Sequence, residues 1–563
     1  MLVINMVNFM KRIALGESFT NTIDDNRIYI DKTETIYALL TNQDRIFISR
    51  PRRFGKSMLF DTIGTLYEEG VEPYFKDTWI YDKWEEKKYP VLRFNFLDFN
   101  KTSYESFCED FVFCINNFLS VNKFDLVINN CEPYRAMKLL INYFIAQKKR
   151  IVILIDEYDS QLVANINNVK LYNKFQESFR DLYGTIKGKK IIKFLGISGV
   201  TRLKDVTIFS VGSDIKDISY FPRYSAIVGF TREEISKYYF DYLNLAVSIT
   251  KDKDAKDVTN EEREELLNRL ALEYDGYCFD SEYKTKVFST FSVNSFFSFL
   301  KENSLVSYSD YWYLEGGIPS VLTKYLEHHE INFLDYQNKI LDVNYDDFIN
   351  PSSLLSINEK VLMSQTGYLT LKSSMQGYNV NLGIPNNEVE RSLIRLTFFK
   401  NFGVEVKLSS ENLLRFEEGK VEEIKEVFDT IINTIPYHYF PFTKERDVAI
   451  SIYMFLKGCA CQVYSKFIKD KDQDVIGVFD AKAEEASSQG RCDLVIQTLY
   501  RKIAIGIKFA LDEKEIDAKL NEAIEQIKSR NYGDTMINMK LLRIALVFNG
   551  KDRKIAYFKE VKD

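Results

Sequence analysis

The sequence predicts an α/β protein of several domains, and three observations carry that expectation. The run IVILI (151–155) is short and continuously apolar, as a strand buried on both faces is. Between residue 28 and about residue 200, such runs alternate with helical stretches, the pattern of a mostly parallel sheet covered by helices. From about residue 440, the order helix, strand, strand, strand, helix, strand describes a second, smaller α/β unit.

In chain order, strands are expected at Arg45–Ser49, Val91–Asp98, Ile151–Ile155 and Ile191–Ile197, with a helix over 168–186 between the last two. GFTREEISKYYFDYL (229–243) opens a helical region, because Thr231 followed three residues later by Glu234 is a capping-box pattern. The stretch 331–440 is mixed, and a helix at Glu411–Thr434 is its clearest element. Then come a helix (Glu445–Leu456), a strand (Cys461–Phe467), a charged insertion (468–490), strands at Cys492–Leu499 and Lys502–Phe509, a helix (Asp512–Arg530) and a strand (Leu541–Phe548). The expected domains are a parallel-sheet domain at 1–225, a helical lid or winged-helix segment at 226–330, a mixed linker at 331–440 and the small α/β domain at 441–563.

A chain of 563 residues is too long for one core. Its 43 Phe and 35 Tyr against 24 Gly and 10 Pro call for large filled cores rather than disorder. The seven cysteines show no CxxC spacing and read as reduced thiols of a cytoplasmic protein. Three histidines leave little material for His-based triads or zinc hydrolysis, so any catalysis must run on carboxylates, lysine, arginine and a metal. MLVINMVNFMKR places its basic residues after the apolar ones, the reverse of a secretory signal, and no apolar run reaches the roughly 18 residues of a membrane span. No membrane partner is expected. At a net charge of −6, nucleic-acid binding needs a local basic surface.

RIFISRPRRFGKSMLF (45–60) reads as strand, basic loop and helix. Against the phosphate-loop pattern GxxxxGK[ST], Gly55, Lys56 and Ser57 match, while Arg50 stands at the first glycine. Such a loop cradles phosphate on backbone N–H groups, with lysine for the β/γ-phosphates and Ser/Thr for magnesium, so ATP and Mg are the expected ligands. Arg50, Arg52 and Arg53, followed by Phe54, either add positive charge beside the phosphates or lock the loop to its neighbours. IVILIDEYDS supplies Asp156 at a strand end for the magnesium-bound water and Glu157 to activate the attacking water. In KFLGISGVTRL, Ser198 is placed to sense the γ-phosphate, and Arg202 either neutralises transition-state charge or caps the strand.

With YIDKTETIYALL (29–40), ISRPRRFGKSMLF (48–60), LIDEYDS (154–160), GISGVTRLKDVTIFS (196–210), GFTREEI (229–235), YDGYCF (274–279) and YWYLEGGIPSVL (311–322), the chain resembles prokaryotic AAA-ATPase-like proteins carrying a C-terminal PD-(D/E)XK nuclease-like domain. The resemblance covers most of residues 25–325. It implies a P-loop NTPase core with Lys56, Ser57, Asp156 and Glu157 in their usual roles, and it makes Arg50 the family's own version of the loop. Ser198 falls where the family commonly has threonine, and VGSDI (211–215) departs from a Gly-Leu-Asn-Asn-Leu-like stretch.

Such nucleases hold magnesium between an Asp on one strand and the Glu of Glu-x-Lys on the next, with the lysine orienting water. GRCDLVIQTLYRKIAIGIKFA (490–510) fits with Asp493 and Lys508, but Gly506 stands where the second acid belongs. Glu445 matches the family's early glutamate, either a remaining ligand or a helix-start residue near the dipole. NEAIEQIKSRNY resembles the family's closing helix, which implies that Gln526 and Tyr532 line the site, and EEASS (484–488) carries acids before Gly490 whose alignment the insertion leaves open. The fold is expected with a degenerate metal site. The readings in play are an ATP-hydrolysing protein with such a domain, a non-catalytic ATP-switched binder of nucleic acid or protein, and an ATP-gated metal-dependent nuclease.

Overall fold

The computed structural model describes residues 10–203, 214–312, 319–329, 331, 333–337, 339–351, 353–403, 405–435, 442–460, 464–465, 479–487, 490–498, 501–530, 532 and 539–562. They form two compact units, one built from Met1–Leu243, Leu267–Ser298 and Leu314–Asn386, the other from Asn244–Leu266, Phe299–Tyr313 and Asn387–Asp563.

The first unit centres on strands β1 (Arg45–Ser49), β2 (Val91–Asn95), β3 (Ile151–Asp156), β4 (Ile192–Gly199) and β5 (Lys216–Asp217). Their order is β2-β3-β4-β1-β5 and every pairing is parallel, so the loops that follow β1, β3 and β4 leave from one edge of the sheet. All five residues of β1 and the first five of β3 are buried, which explains the apolar runs IFI (46–48) and IVILI (151–155) within them. Helix α1 (Thr33–Asn42) precedes β1, and α2 (Lys56–Glu69) follows it after the basic loop. Helices α3 (Tyr104–Val121), α4 (Pro133–Ala146) and α5 (Val169–Ile186) cover the sheet. The phenylalanine excess goes into this packing: Phe94 stacks on Phe111 at 4.6 Å, Phe96 on Phe179 at 5.5 Å, and Phe107 meets Phe175 edge-on at 5.2 Å.

Helix α6 (Arg232–Tyr238) starts at the expected capping box, with Thr231 and Glu234 satisfying each other's backbone N–H groups. Helix α7 covers Thr290–Asn303. A small antiparallel sheet of β6 (Leu341–Asn344), β7 (Thr370–Leu371) and β8 (Asn379–Gly383), in the order β6-β8-β7, completes the unit.

In the second unit the helix expected at Glu411–Thr434 is two helices, α8 (Ser410–Glu418) and α9 (Val421–Thr434). Gly419 leaves the helical region at ψ 156°, and Glu423 reaches back to the Lys420 N–H at 2.6 Å to start the next helix. Then come α10 (Glu445–Cys459), β9 (Asp480–Ser487), β10 (Gly490–Gln497), β11 (Arg501–Ala510), α11 (Ile516–Ser529), β12 (Lys540–Asn549) and β13 (Lys554–Glu560). The sheet runs β9-β10-β11-β12-β13, antiparallel except for the β11–β12 pair that α11 connects. Part of the charged insertion expected over 468–490 is therefore strand β9, whose Asp-Ala-Lys-Ala start suits an edge with one wet face. Of the strand expected at Cys461–Phe467, Tyr464–Ser465 pairs with Val306–Ser307, and the rest lies outside the described residues. Among the described residues, no helix is long and apolar enough to cross a membrane.

Candidate functional site

The loop between β1 and α2 turns on two left-handed residues, Arg53 at φ 68° and Gly55 at φ 92°, and Gly55 is the N-cap of α2. Alternating hand is what lets successive backbone N–H groups converge on an anion. Phe54 is fully buried, edge-on to Tyr277 at 4.7 Å and to Phe279 at 5.4 Å, so YDGYCF clamps the loop. Two further ties hold it: Gly229 N donates to Phe54 O at 3.1 Å and Thr290 Oγ1 donates to Arg53 O at 2.7 Å.

Lys56 is buried, its Nζ donating to the carbonyls of Arg50 (3.1 Å) and Pro51 (3.3 Å), with Glu157 Oε1 at 3.5 Å. Ser57 Oγ donates to Asp156 Oδ2 at 2.6 Å, while Ser198 Oγ and Glu157 N (3.0 Å) donate to Oδ1. Strand β4 lies between β1 and β3, and that order brings Ser198 to Asp156. Glu157 sits at φ 51°, a left-handed conformation that costs a non-glycine residue energy and recurs at functional sites. Burial raises its pKa, Lys56 opposes that shift, and Asp159 and Asp156 add to it. Arg52, Arg53, Phe54, Gly55, Lys56, Ser57 and Glu157 line a cavity of about 510 Å³. That volume suits a ligand of nucleotide size.

The structure separates the remaining candidates from this cavity. Arg50 is 1% exposed and points away, donating to Ser49 O (2.9 Å) and Ser219 O, its guanidinium 4.2 Å from the Phe279 ring centre. Burial lowers it to about 10, still charged at neutral pH. Of the two roles open to the loop arginines, Arg50 has the locking one, because no phosphate reaches a guanidinium enclosed this way. Arg202 is bound through Nε to Asp217 of β5 and does not line the cavity. Of GISGVTRLKDVTIFS, VGSDI and YWYLEGGIPSVL, positions 204–213 and 313–318 lie outside the described residues.

The structure gives contacts to residues that the motif reading left without a role. Asp159, 1% exposed, ties β3 to β4 by accepting from Thr201 N (2.6 Å) and Thr201 Oγ1 (2.5 Å); its signal was the second acid of DEYDS. In YIDKT, Asp31 accepts from Thr33 N (2.8 Å) and Trp79 N (2.7 Å), and Lys32 donates to both oxygens of Glu234 (2.6 Å) and to Ala226 O (2.9 Å). Both are struts, and the Lys32 strut ends on the carboxylate that caps α6.

In the second unit, β10, β11 and the start of α10 bring Asp493, Lys508 and Glu445 together. Asp493 Oδ2 accepts from Ile507 N at 2.8 Å, and Lys508 Nζ lies 3.1 Å from Glu445 Oε2 and 3.9 Å from Glu522 Oε1. Burial raises the Asp493 pKa against the pull of the Ile507 N–H and Lys508. Gln526 donates to the Tyr532 hydroxyl. Glu522 and Arg530 were missed, although with Gln526 they follow the four-residue spacing of one helix face. At Gly506 a Cβ would come within 2.9 Å of Ile527 Cγ1 and 3.0 Å of its Cδ1. The place of the missing acid is filled by apolar packing. Among the described residues, no group of three or more His, Cys, Asp or Glu side chains is arranged to hold a metal ion, and the side chains of EEASS lie outside them.

Residues 14–209 match the family model described as Predicted AAA-ATPase, and residues 462–558 match that of the PD-(D/E)XK nuclease superfamily. The "Uncharacterized protein in vnfD 5'region" of Azotobacter chroococcum mcd 1 is 24% identical over 540 residues, 93% of each chain. Among solved structures, the ORC2 protein of Aeropyrum pernix (ADPNP-ADP complexes) overlaps with a TM-score of 0.24 and 12% identity, across 37% of this chain and 49% of that one. Cdc6p of Pyrobaculum aerophilum gives 0.21 and 10%, across 65% and 92%. Overlaps this loose carry no argument about function. Residues 14–209 are thus a AAA-ATPase-like region, and residues 462–558 are a region similar to the PD-(D/E)XK nuclease superfamily.

Proposed function

We propose that the first unit binds ATP with magnesium and hydrolyses it, and that the second unit binds nucleic acid or a protein partner without cutting it. The observation that carries the first part is the 2.6 Å bond from Ser57 to Asp156, which joins the phosphate loop to the acidic strand end beside Glu157. A hydroxyl and a carboxylate already in contact are an all-oxygen donor pair of the kind magnesium prefers. Ser57 would ligate the ion and Asp156 would hold its water, and the ion would neutralise phosphate charge. Lys56 exchanges its carbonyl partners for the β/γ-phosphates, and Glu157 accepts a proton from the attacking water. Only ionised Glu157 can do so, and its pKa is raised. Turnover should therefore rise with pH along a limb lying above the ordinary glutamate value of about 4.3. The non-cutting reading of the second unit rests on Gly506 and the Ile527 side chain that occupies the missing acid's place.

The test is nucleotide binding and turnover by the full chain, with and without single- and double-stranded nucleic acid. Lys56→Ala should lose nucleotide binding. Glu157→Gln should keep binding while turnover falls by about 10²- to 10⁴-fold. Unchanged hydrolysis by both variants would sink the ATPase reading, and cleavage of DNA or RNA that Asp493→Ala abolishes would overturn the second part.

A further inference from the structure

The three arginines of the loop have separate fates. Arg50 is enclosed by Ser219 O and Phe279. Arg53 lies with its guanidinium 3.8 Å from the Phe291 ring centre, on a backbone pinned by Thr290. Arg52 is half-buried, lines the cavity beside Lys56, Ser57 and Glu157, and lies 3.5 Å from Ser320 Oγ, at the outer limit of a hydrogen bond. Arg202, the sequence's candidate for transition-state charge, is held by Asp217. Lys32, also at the cavity wall, is held by Glu234.

We propose that Arg52 is the catalytic arginine, supplied by the same chain and by the phosphate loop itself. The inference rests on the ATPase reading above. In the reaction, water oxygen bonds to the γ-phosphorus as the bond from that phosphorus to the bridging oxygen breaks. The bridging electron pair leaves with ADP, and a water proton goes to Glu157. Negative charge spreads over the equatorial oxygens of the moving phosphoryl group. A guanidinium meets two such oxygens with two parallel N–H donors, which an ammonium cannot do. Among the described residues, no aromatic ring or buried carbonyl holds the Arg52 guanidinium, unlike those of Arg50 and Arg53, and it is the loop arginine placed to turn toward them.

Arg52→Ala and Arg52→Lys in the full chain, compared with wild type, test this by ATP and ADP affinity and by kcat and KM with magnesium. Arg52→Ala should lower kcat on the order of 10³-fold and leave ADP affinity and the KM for ATP nearly unchanged, a split that a merely structural residue would not produce. Arg52→Lys should recover part of kcat. A wild-type kcat in Arg52→Ala overturns the inference while the ATPase reading stands. If wild type binds neither nucleotide, that reading falls and this one with it. If wild type binds ATP without turnover, Arg52→Ala must weaken ATP more than ADP, and equal affinities for the two overturn the assignment.

Discussion

At position 50 an arginine stands where a phosphate loop has its first glycine, and at position 506 a glycine stands where a PD-(D/E)XK hairpin has its second acid. The first departure adds a side chain, and the fold gives it somewhere else to go: the Arg50 guanidinium leaves the cavity for Ser219 O and the Phe279 ring. The loop keeps its left-handed turns at Arg53 and Gly55, and Ser57 keeps its contact with Asp156. The second departure removes a ligand, and the vacated position has been packed by Ile527. A deviation from a motif is harmless when the new side chain can leave the site. It is hard to reverse once a neighbour has filled the space.

Returning each position to consensus probes this contrast, and the larger effect is expected at position 50. Arg50→Gly restores the consensus but removes the stack on Phe279 and leaves the buried Ser219 carbonyl without its donor. The variant should lose about 2–3 kcal/mol of stability, measured as a lower midpoint of denaturant unfolding. A wild-type midpoint would show that Arg50 is no lock.

Gly506→Glu should come next, at about 1–3 kcal/mol for overpacking, and should gain no metal-dependent cleavage. Gly506 and Lys508 lie on one face of β11, two residues apart, so the new side chain would be driven into Ile527. In a double-mutant cycle with Ile527→Ala, the pair should cost less than the sum of its single changes. Strict additivity would mean that Ile527 does not occupy the acid's place.

How much of this was legible follows from the same physics. Strands β1 and β3 announce themselves because burial on both faces favours the apolar runs IFI (46–48) and IVILI (151–155), whereas β2 and β4 keep a polar residue at Arg93 and Lys193. Gly55, Lys56, Ser57 and Asp156 were readable as candidates because the phosphate-loop pattern is a matter of residue type and local spacing. Strand β5 has two residues, Lys216 and Asp217, and β9 is an edge rich in Ala, Lys and Glu, so neither carries an apolar signal. The destination of Arg50 and the filling at Gly506 depend on Phe279 and Ile527, residues far along the chain that only the fold brings near. Motifs report chemistry, and the space around them is written elsewhere in the sequence.

The smallest expected effect is at Asp493, and it separates a relic from a tuned acid. Burial raises this carboxyl's pKa in the folded chain, while the Ile507 N–H and Lys508 hold part of the charge in place. A carboxyl with a raised folded-state pKa binds its proton more tightly folded than unfolded. Its contribution is therefore present below the unfolded value of about 3.9 and is lost as pH rises through the raised one. Asp493→Asn keeps the shape, removes the titration and should flatten that part of the stability–pH curve, read by thermal unfolding across the acidic range. An unchanged slope would place Asp493 in a wetter site than its neighbours suggest. In that case the pocket around Lys508 and Glu445 would still be open enough to admit a hydrated ion, and the contrast with the phosphate loop would narrow.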